Sequence, residues 1–329
     1  MDQATFKPGR LLRLHLWSGI SPFIPTSTPT STFYTLVRST VFLFRLPIFL
    51  TYCAVYFLFL AHLPLPLAFR KLLLWGMLGV PGIWWVDLQL DGVKRGSLSQ
   101  QPKSRVPHPR SIIAAQFTSP VDALYLAAIF NPVFTISYPG TRKVQRISLF
   151  RAITLALSPP VSEPSSTAKL TTLRALIEQN PHRIIAVFPE MSTTNGKGIL
   201  PLSPSLCSAP ANAKIFPISM RYTPPDITTP VPGAYASFLW NLLSRPTHCI
   251  RVRIAEGITG ASSGLEGVVN GITAEEASNG EHEGDLTPEE KSVIDHVGEA
   301  LARLARNKRV GLSLCDKAGF VEAWNRGRK

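Results

Sequence analysis

Charged residues are scarce in this sequence. Asp, Glu, Lys and Arg make up 17% of its 329 residues, where a soluble α/β chain carries about a quarter. The charge present leans one way, with 34 Lys and Arg against 21 Asp and Glu for a net +13. Four cysteines (Cys53, Cys207, Cys249 and Cys315) show no CxxC spacing. That argues against a disulfide framework or a cysteine-held zinc and fits a reducing, cytosol-facing location. The seven histidines form no HExxH pair, so no metal site is expected. There is no Asn-x-Ser/Thr glycosylation acceptor and no internal repeat. Zinc-finger and RNA-recognition signatures are missing too, so the basic excess points to an anionic membrane surface rather than to nucleic acid.

Hydrocarbon is what the N-terminal quarter has in plenty, and mean hydropathy over the whole chain is +0.13. Leu46–Leu63 carries no formal charge; at about 1.5 Å per residue it is just long enough for a bilayer core of about 30 Å. It starts too far from Met1 to be a signal peptide; a buried core helix is the alternative. A second apolar stretch, Leu72–Val86, is broken by Gly79, Pro81 and Gly82 and carries Trp75, Trp84 and Trp85. It is short for a span, and tryptophan favours the interface. It reads as a returning or in-plane segment behind the Pro64–Pro66 bend. Lys7, Arg10, Arg13, Arg38 and Arg45 lie before the first stretch; Lys94, Arg95, Lys103, Arg105 and Arg110 follow the second. With both basic flanks on one side, a hairpin or monotopic anchor is favoured over a single crossing. Arg70 and Lys71 near the bend speak against a deep tip, and the topology stays open.

The expected organisation is an irregular lead over 1–38, a membrane-anchoring segment over 39–90 and an α/β domain over 105–256. A flexible Gly/Ser/Glu-rich insertion over 257–287 and a C-terminal helix and tail over 288–329 complete it. Within the α/β domain, strand-like runs fall at 111–116, 133–138, 183–188, 214–220 and 249–254. Helix-like runs fall at 121–130, 144–157, 168–179 and 234–243. Such alternation predicts a mostly parallel sheet flanked by helices. Two helix starts carry capping signatures: Ser119-Pro120-Val121-Asp122, and Thr287-Pro288-Glu289-Glu290 before the face Val293, Val297, Leu301, Leu304.

The chemistry-bearing stretch is VFPEMSTTNGKGIL, residues 187–200. A strand ends at Phe188, and a polar loop of Ser192, Thr193, Thr194, Asn195, Gly196 and Lys197 follows Glu190. Parallel sheets bind ligands at the carboxyl ends of their strands. Small hydroxyls, glycines and one lysine suit a phosphate ester; on its own the loop reads equally as a hydrophilic turn. It lacks the Walker A spacing.

FPEMSTTNGKG resembles the FPEGT block of the glycerol-3-phosphate and lysophosphatidate acyltransferase superfamily. QFTSPVDALYL, about seventy residues upstream, falls in register with its NHxxxxD block. Gln116 stands at the Asn position, Phe117 at the His position and Asp122 at the Asp position. KIFPISMRY (214–222) is similar to the following strand block, and PVFTISYPG (132–140) matches a further block loosely. The segment ITTPVPGAYASFLWNLLSRPTHCIRVRI and the apolar N-terminus are similar to a fungal lysophosphatidate acyltransferase branch of endoplasmic reticulum and lipid droplets.

The resemblance implies an acyl transfer from acyl-CoA, as co-substrate and with no other cofactor, to a lysophospholipid at a membrane. Lysophosphatidate is the expected acceptor. Asp122 and Glu190 become the catalytic candidates. Ser192, Thr193, Thr194, Asn195, Gly196, Lys197 and Arg221 become the substrate-binding ones, with Lys197 or Arg221 offsetting phosphate charge. The expected location is the endoplasmic reticulum or lipid-droplet membrane, domain facing the cytosol. The family's base is the histidine that Phe117 replaces, and phenylalanine accepts no proton. Met191 stands where glycine is usual, and Thr193 where many members have arginine. His108, His182 and His248 all precede strands, which places them at the amino end of a parallel sheet. The alternative is a catalytically silent relative that binds lipid or acyl-CoA.

Overall fold

A computed structural model describes residues 20–26, 28, 31–93, 101–259 and 286–326. Lys7, Arg10, Arg13, Lys94 and Arg95, and nearly all of the Gly/Ser/Glu-rich insertion, lie outside the described residues. Helix α1 (Thr32–Leu58) is followed by α2 (Leu67–Gly79) and strand β1 (Ile83–Leu90). Then come β2 (Ile112–Ala115), α3 (Pro120–Phe130), β3 (Val133–Ser137), β4 (Val144–Ile147) and α4 (Leu149–Leu155). Next are β5 (Leu170–Thr171), α5 (Leu173–Gln179), β6 (Ile185–Val187), β7 (Gly198–Ile199) and β8 (Lys214–Thr223). The chain continues with α6 (Tyr235–Ser244), β9 (His248–Ile254), β10 (Ile258–Thr259), α7 (Pro288–Ala305), β11 (Lys308–Arg309) and α8 (Leu314–Arg326).

Nine strands form one mixed sheet in the order β1-β9-β8-β2-β6-β3-β4-β5, with β10 beside β8. The four central strands β8, β2, β6 and β3 are parallel. Every residue of β2, β3 and β6 is buried, as a parallel strand covered on both faces requires. On one face Ile113, Ala115, Phe188, Phe216 and Ile218 pack under α3 and the N-terminal helices. On the other, Ile112, Ala114, Val187 and Ile215 pack under α7 through Val297 and Leu301. Helix α7 opens on the expected capping box: the Thr287 hydroxyl accepts from the Glu290 amide, and the Glu290 carboxylate accepts from Thr287 N–H at 2.9 Å.

Beside the lead over 1–38, which is helical from Thr32, and the run 168–179, which opens with strand β5 before α5, three expectations change. Residues 144–157, expected as one helix, divide into strand β4, antiparallel to β3, and the short helix α4 capped by Ser148. Ile147, Phe150, Ile153 and Leu157 recur at helical spacing, but the Ser148 cap and the Val144/Arg146 pairing end the strand first. Second, Leu72–Val86 is not one in-plane segment. It splits between α2 and β1, and β1 runs parallel to β9 from Ile83 to Leu90. Third, β9 is antiparallel to β8, with Thr223 opposite Cys249. His248 therefore stands at the carboxyl rim of the central strands, not the amino rim.

Helix α1 and the turn after it, Thr32–His62, are long and apolar enough to cross a membrane. Yet α1 lies along the domain. Near its start, Arg38 Nε donates to Ser244 Oγ at 3.0 Å with the guanidinium over Trp240, and Phe42 packs on the same indole. Arg45 donates to the carbonyls of Pro81, Arg245 and Pro246. At the far end Phe57 meets Phe150, ring centroids 5.2 Å apart. The outer side of α1 stays bare, with Phe44 71% exposed and Leu58 69%, and Trp85 of β1 is 70% exposed as well.

Candidate active site

At the carboxyl end of β2 the chain leaves the sheet through Gln116, Phe117 and Thr118 and enters α3 at its cap, Ser119. The Ser119 hydroxyl donates to the Ile227 carbonyl at 2.8 Å and accepts from Val121 N–H. Asp122, at the third helical position, turns its carboxylate back. Oδ2 accepts from Thr118 N–H at 2.6 Å, Ser119 N–H at 2.8 Å and Thr118 Oγ1 at 3.1 Å; Oδ1 accepts from the Tyr222 hydroxyl. The group is fully buried. Burial pushes it up to about 6, against the downward pull of Tyr222, Thr118 and Ser119. Both carboxylate oxygens are engaged, and through Thr118, Ser119 and Tyr222 Asp122 ties the start of α3 to the sheet.

Phe117 is buried. Its ring stacks on Phe188 with centroids 4.3 Å apart and planes 25° from parallel, and Phe134 continues the stack. An aromatic contact thus fills the position where the resembled family has its base. His248 does not replace it. Its ring Nε2 is 2.8 Å from the Leu242 carbonyl, and burial holds the imidazole below its ordinary value.

β6 ends at Val187, and Phe188-Pro189 delivers Glu190 to the same rim. Met191 takes the left-handed region at φ 57°, a conformation that glycine adopts without strain. Glu190 is fully buried: Oε2 accepts from Leu200 N–H at 3.1 Å, and Oε1 has no hydrogen-bond partner. Burial pushes this carboxyl up to about 8, with the Leu200 and Phe117 amides and Lys317 pulling the other way and Asp122 adding to the rise.

Lys317, which no sequence motif marks, comes from α8. It is fully buried, and its Nζ donates to Ser192 Oγ at 2.7 Å, Thr193 O at 2.5 Å and Thr193 Oγ1 at 3.1 Å. Burial brings the amine down to about 7, opposed by Glu190. The usable signal was its place on the stripe Leu314, Lys317, Phe320, Trp324, where a helix puts apolar residues.

The loop after Glu190 gathers distant parts of the chain. Thr194 N–H donates to Phe117 O at 3.1 Å, and Thr193 Oγ1 donates to Thr229 O at 2.7 Å. Asn195 Nδ2 donates to Ser21 O and Ile24 O at 2.7 and 2.8 Å, and its own N–H to Pro22 O. Asn307 Nδ2 donates to Gly196 O. Ser192, Thr193, Thr194 and Asn195 are all buried; Gly196 is half-buried, and Lys197 is exposed.

Asp122, Glu190 and Ser192 to Lys197 therefore share one rim. Arg221 does not join them. Tyr222 points at Asp122 across the α3 face, and successive strand residues alternate. Arg221 is exposed on the opposite face, paired in register with Arg251.

A Schizosaccharomyces pombe protein provisionally named lysophosphatidic acid:oleoyl-CoA acyltransferase is 25% identical to this chain over 314 residues. The match covers 93% of this chain and 94% of that protein. The chain thus has a lysophosphatidate acyltransferase-like relative along nearly its whole length. No family profile matches it, and no solved structure does.

Proposed function

We propose that this protein transfers an acyl group from acyl-CoA to a lysophospholipid, lysophosphatidate giving phosphatidate. One observation carries the reading. In a chain similar over its length to a protein with that name, the Glu190 loop and the start of α3 meet at the carboxyl rim of one parallel sheet. The acceptor hydroxyl oxygen attacks the thioester carbon, a C–O bond forms and the C–S bond breaks. The hydroxyl proton passes to a rim base, and the CoA sulfur leaves as thiolate and is then protonated. Glu190 keeps an oxygen without a hydrogen-bond partner at this rim. Burial raises the Glu190 carboxyl and lowers the Lys317 amine, which moves both toward the neutral range where a proton can be exchanged. Asp122 positions α3, and Lys197 meets the phosphate. The rim is covered by α8 and by residues 21–24, so substrate entry requires one of them to lift.

The bare apolar side of α1 and α2 rests on the membrane, with α1 held along the domain at both ends rather than projecting from it. The endoplasmic reticulum or lipid-droplet surface, domain in the cytosol, is the location this reading takes.

The test is CoA release by full-length protein in detergent. Turnover with lysophosphatidate is expected, Glu190→Ala abolishes it, and Lys197→Ala raises KM. A second reading has its own support: the buried loop hydroxyls are already bonded within the protein, and Phe117 is stacked where a base is needed. Saturable acyl-CoA or lysophosphatidate binding with no turnover above buffer would establish that silent-binder reading instead.

A further inference from the structure

On the opposite, amino rim of the sheet lies a cavity of about 580 Å³ between the end of α1, the start of α2, the end of α3 and the β4–α4 turn. Pockets of a few hundred Å³ hold small ligands. Three guanidinium groups line this one, Arg70, Arg146 and Arg183, and no carboxylate does. They come from three distant parts of the chain. Arg183 is held below its ordinary value by burial and then by Arg146 and Arg70, so the three charges feel one another.

Part of this has a structural explanation. Arg183 Nη2 donates to Asn131 O at 3.1 Å and Pro132 O at 3.0 Å, and Lys71 Nζ donates to Ile129 O at 2.6 Å; both close the carboxyl end of α3. That explanation stops short of the rest. Arg183 Nε is buried without a partner. Among the described residues, neither the Arg70 nor the Arg146 guanidinium makes a hydrogen bond or ion pair, the bonds of these residues being those of their backbone. Arg146 is exposed and Arg70 and Arg183 are half-buried, so water screens the three like charges only in part, and an anion between them relieves the remainder.

The remaining wall says which anion. Phe57 and Phe150 meet at the cavity, and Leu58 carries its lining onto the bare apolar side of α1. We propose that this cavity binds the phosphate headgroup of an anionic phospholipid, the arginines holding the phosphate and the Phe57–Phe150 wall receiving the first part of an acyl chain. The site is separate from the rim that carries Glu190 and does not depend on acyl transfer occurring there.

The experiment uses full-length protein in detergent and a soluble short-chain lipid, dihexanoyl phosphatidate. Phenylglyoxal labelling of Arg70 and Arg146 is read by mass spectrometry, and affinity by titration. Dihexanoyl phosphatidate is expected to protect both arginines, while dihexanoyl phosphatidylcholine and inorganic phosphate at equal concentration do not. Arg70→Gln with Arg146→Gln should weaken binding about thirtyfold, at ~1 kcal/mol for each charge beside an anionic lipid phosphate. Arg183 is left intact because it closes α3. A charge-matched control, Lys143→Gln with Lys308→Gln, should bind as the parent does. Undiminished affinity in the Arg70/Arg146 variant overturns the site. Equal protection by inorganic phosphate overturns its lipid character, and equal protection by phosphatidylcholine overturns the role of the charge.

Discussion

Asp122→Asn separates a cap from a catalyst. The asparagine is isosteric: its carbonyl can accept from the Thr118 and Ser119 amides, and its NH₂ can donate to the Tyr222 oxygen. Only the charge is lost. Folding raises the Asp122 carboxyl from its ordinary 3.8 to about 6. The folded form thus keeps a proton that the unfolded chain gives up between those values. Stability due to this group is highest below pH 4, falls as pH rises toward 6 and is level above it. A rise of that size is worth about 3 kcal/mol, and no solvent screening reduces it because the group is fully buried. Relative to the parent, Asp122→Asn should therefore gain up to about 3 kcal/mol between pH 4 and 6.5 and hold the gain at neutral pH. The measurement is a pair of urea unfolding series in one detergent across that range, with CoA release alongside. Turnover should fall by less than about tenfold. A difference between parent and variant that does not change with pH would refute the burial argument. A hundredfold loss of turnover with folding intact would make Asp122 a reacting group.

Phe117→His should restore no base. It buries an imidazole against Phe188 and meets an Asp122 whose oxygens are spent, so thermal unfolding should show a loss of about 2 kcal/mol and turnover should not rise. A large rate gain would mean the family geometry persists beneath the stack. Lys317→Ala removes three hydrogen bonds from a buried site and leaves the Ser192 hydroxyl and the Thr193 carbonyl without the donor they share. About 3 kcal/mol of stability should go, and trypsin should cut within 314–326 faster. Unchanged cleavage would show that α8 is held elsewhere.

Much of the frame was legible because its signals are local. Five strand runs and the two capping boxes depend on residues within a few positions of each other, and β2, β3, β6, β8 and β9 form where the runs lie. Strand direction is not local. The sequence run 248–254 looks the same pointing either way, so the antiparallel β9 and the rim on which His248 stands could not be read from it. In β1, Trp84 and Trp85 are both exposed at a register irregularity, so no alternation marks the strand behind its interfacial signature. Within the site, Glu190 and its loop were visible as a block, and their meeting with α3 at one rim follows from strand order. What the loop hydroxyls bond to was not visible. Their partners are Lys317, Thr229 and the carbonyls of residues 21–24, each far away in sequence and unremarkable where it stands. The arginine cavity is hidden for the same reason, since Arg70, Arg146 and Arg183 share no motif.

Because Asn195 is tied to residues 21–24 and Ser192–Thr193 to Lys317, the turn at the active rim is fastened by both extremes of the described chain. It cannot settle until the last helix has left the ribosome. A fragment cut to the central sheet, residues 105–256, would carry Asp122 and the whole 187–200 stretch and still present this turn stripped of its fasteners.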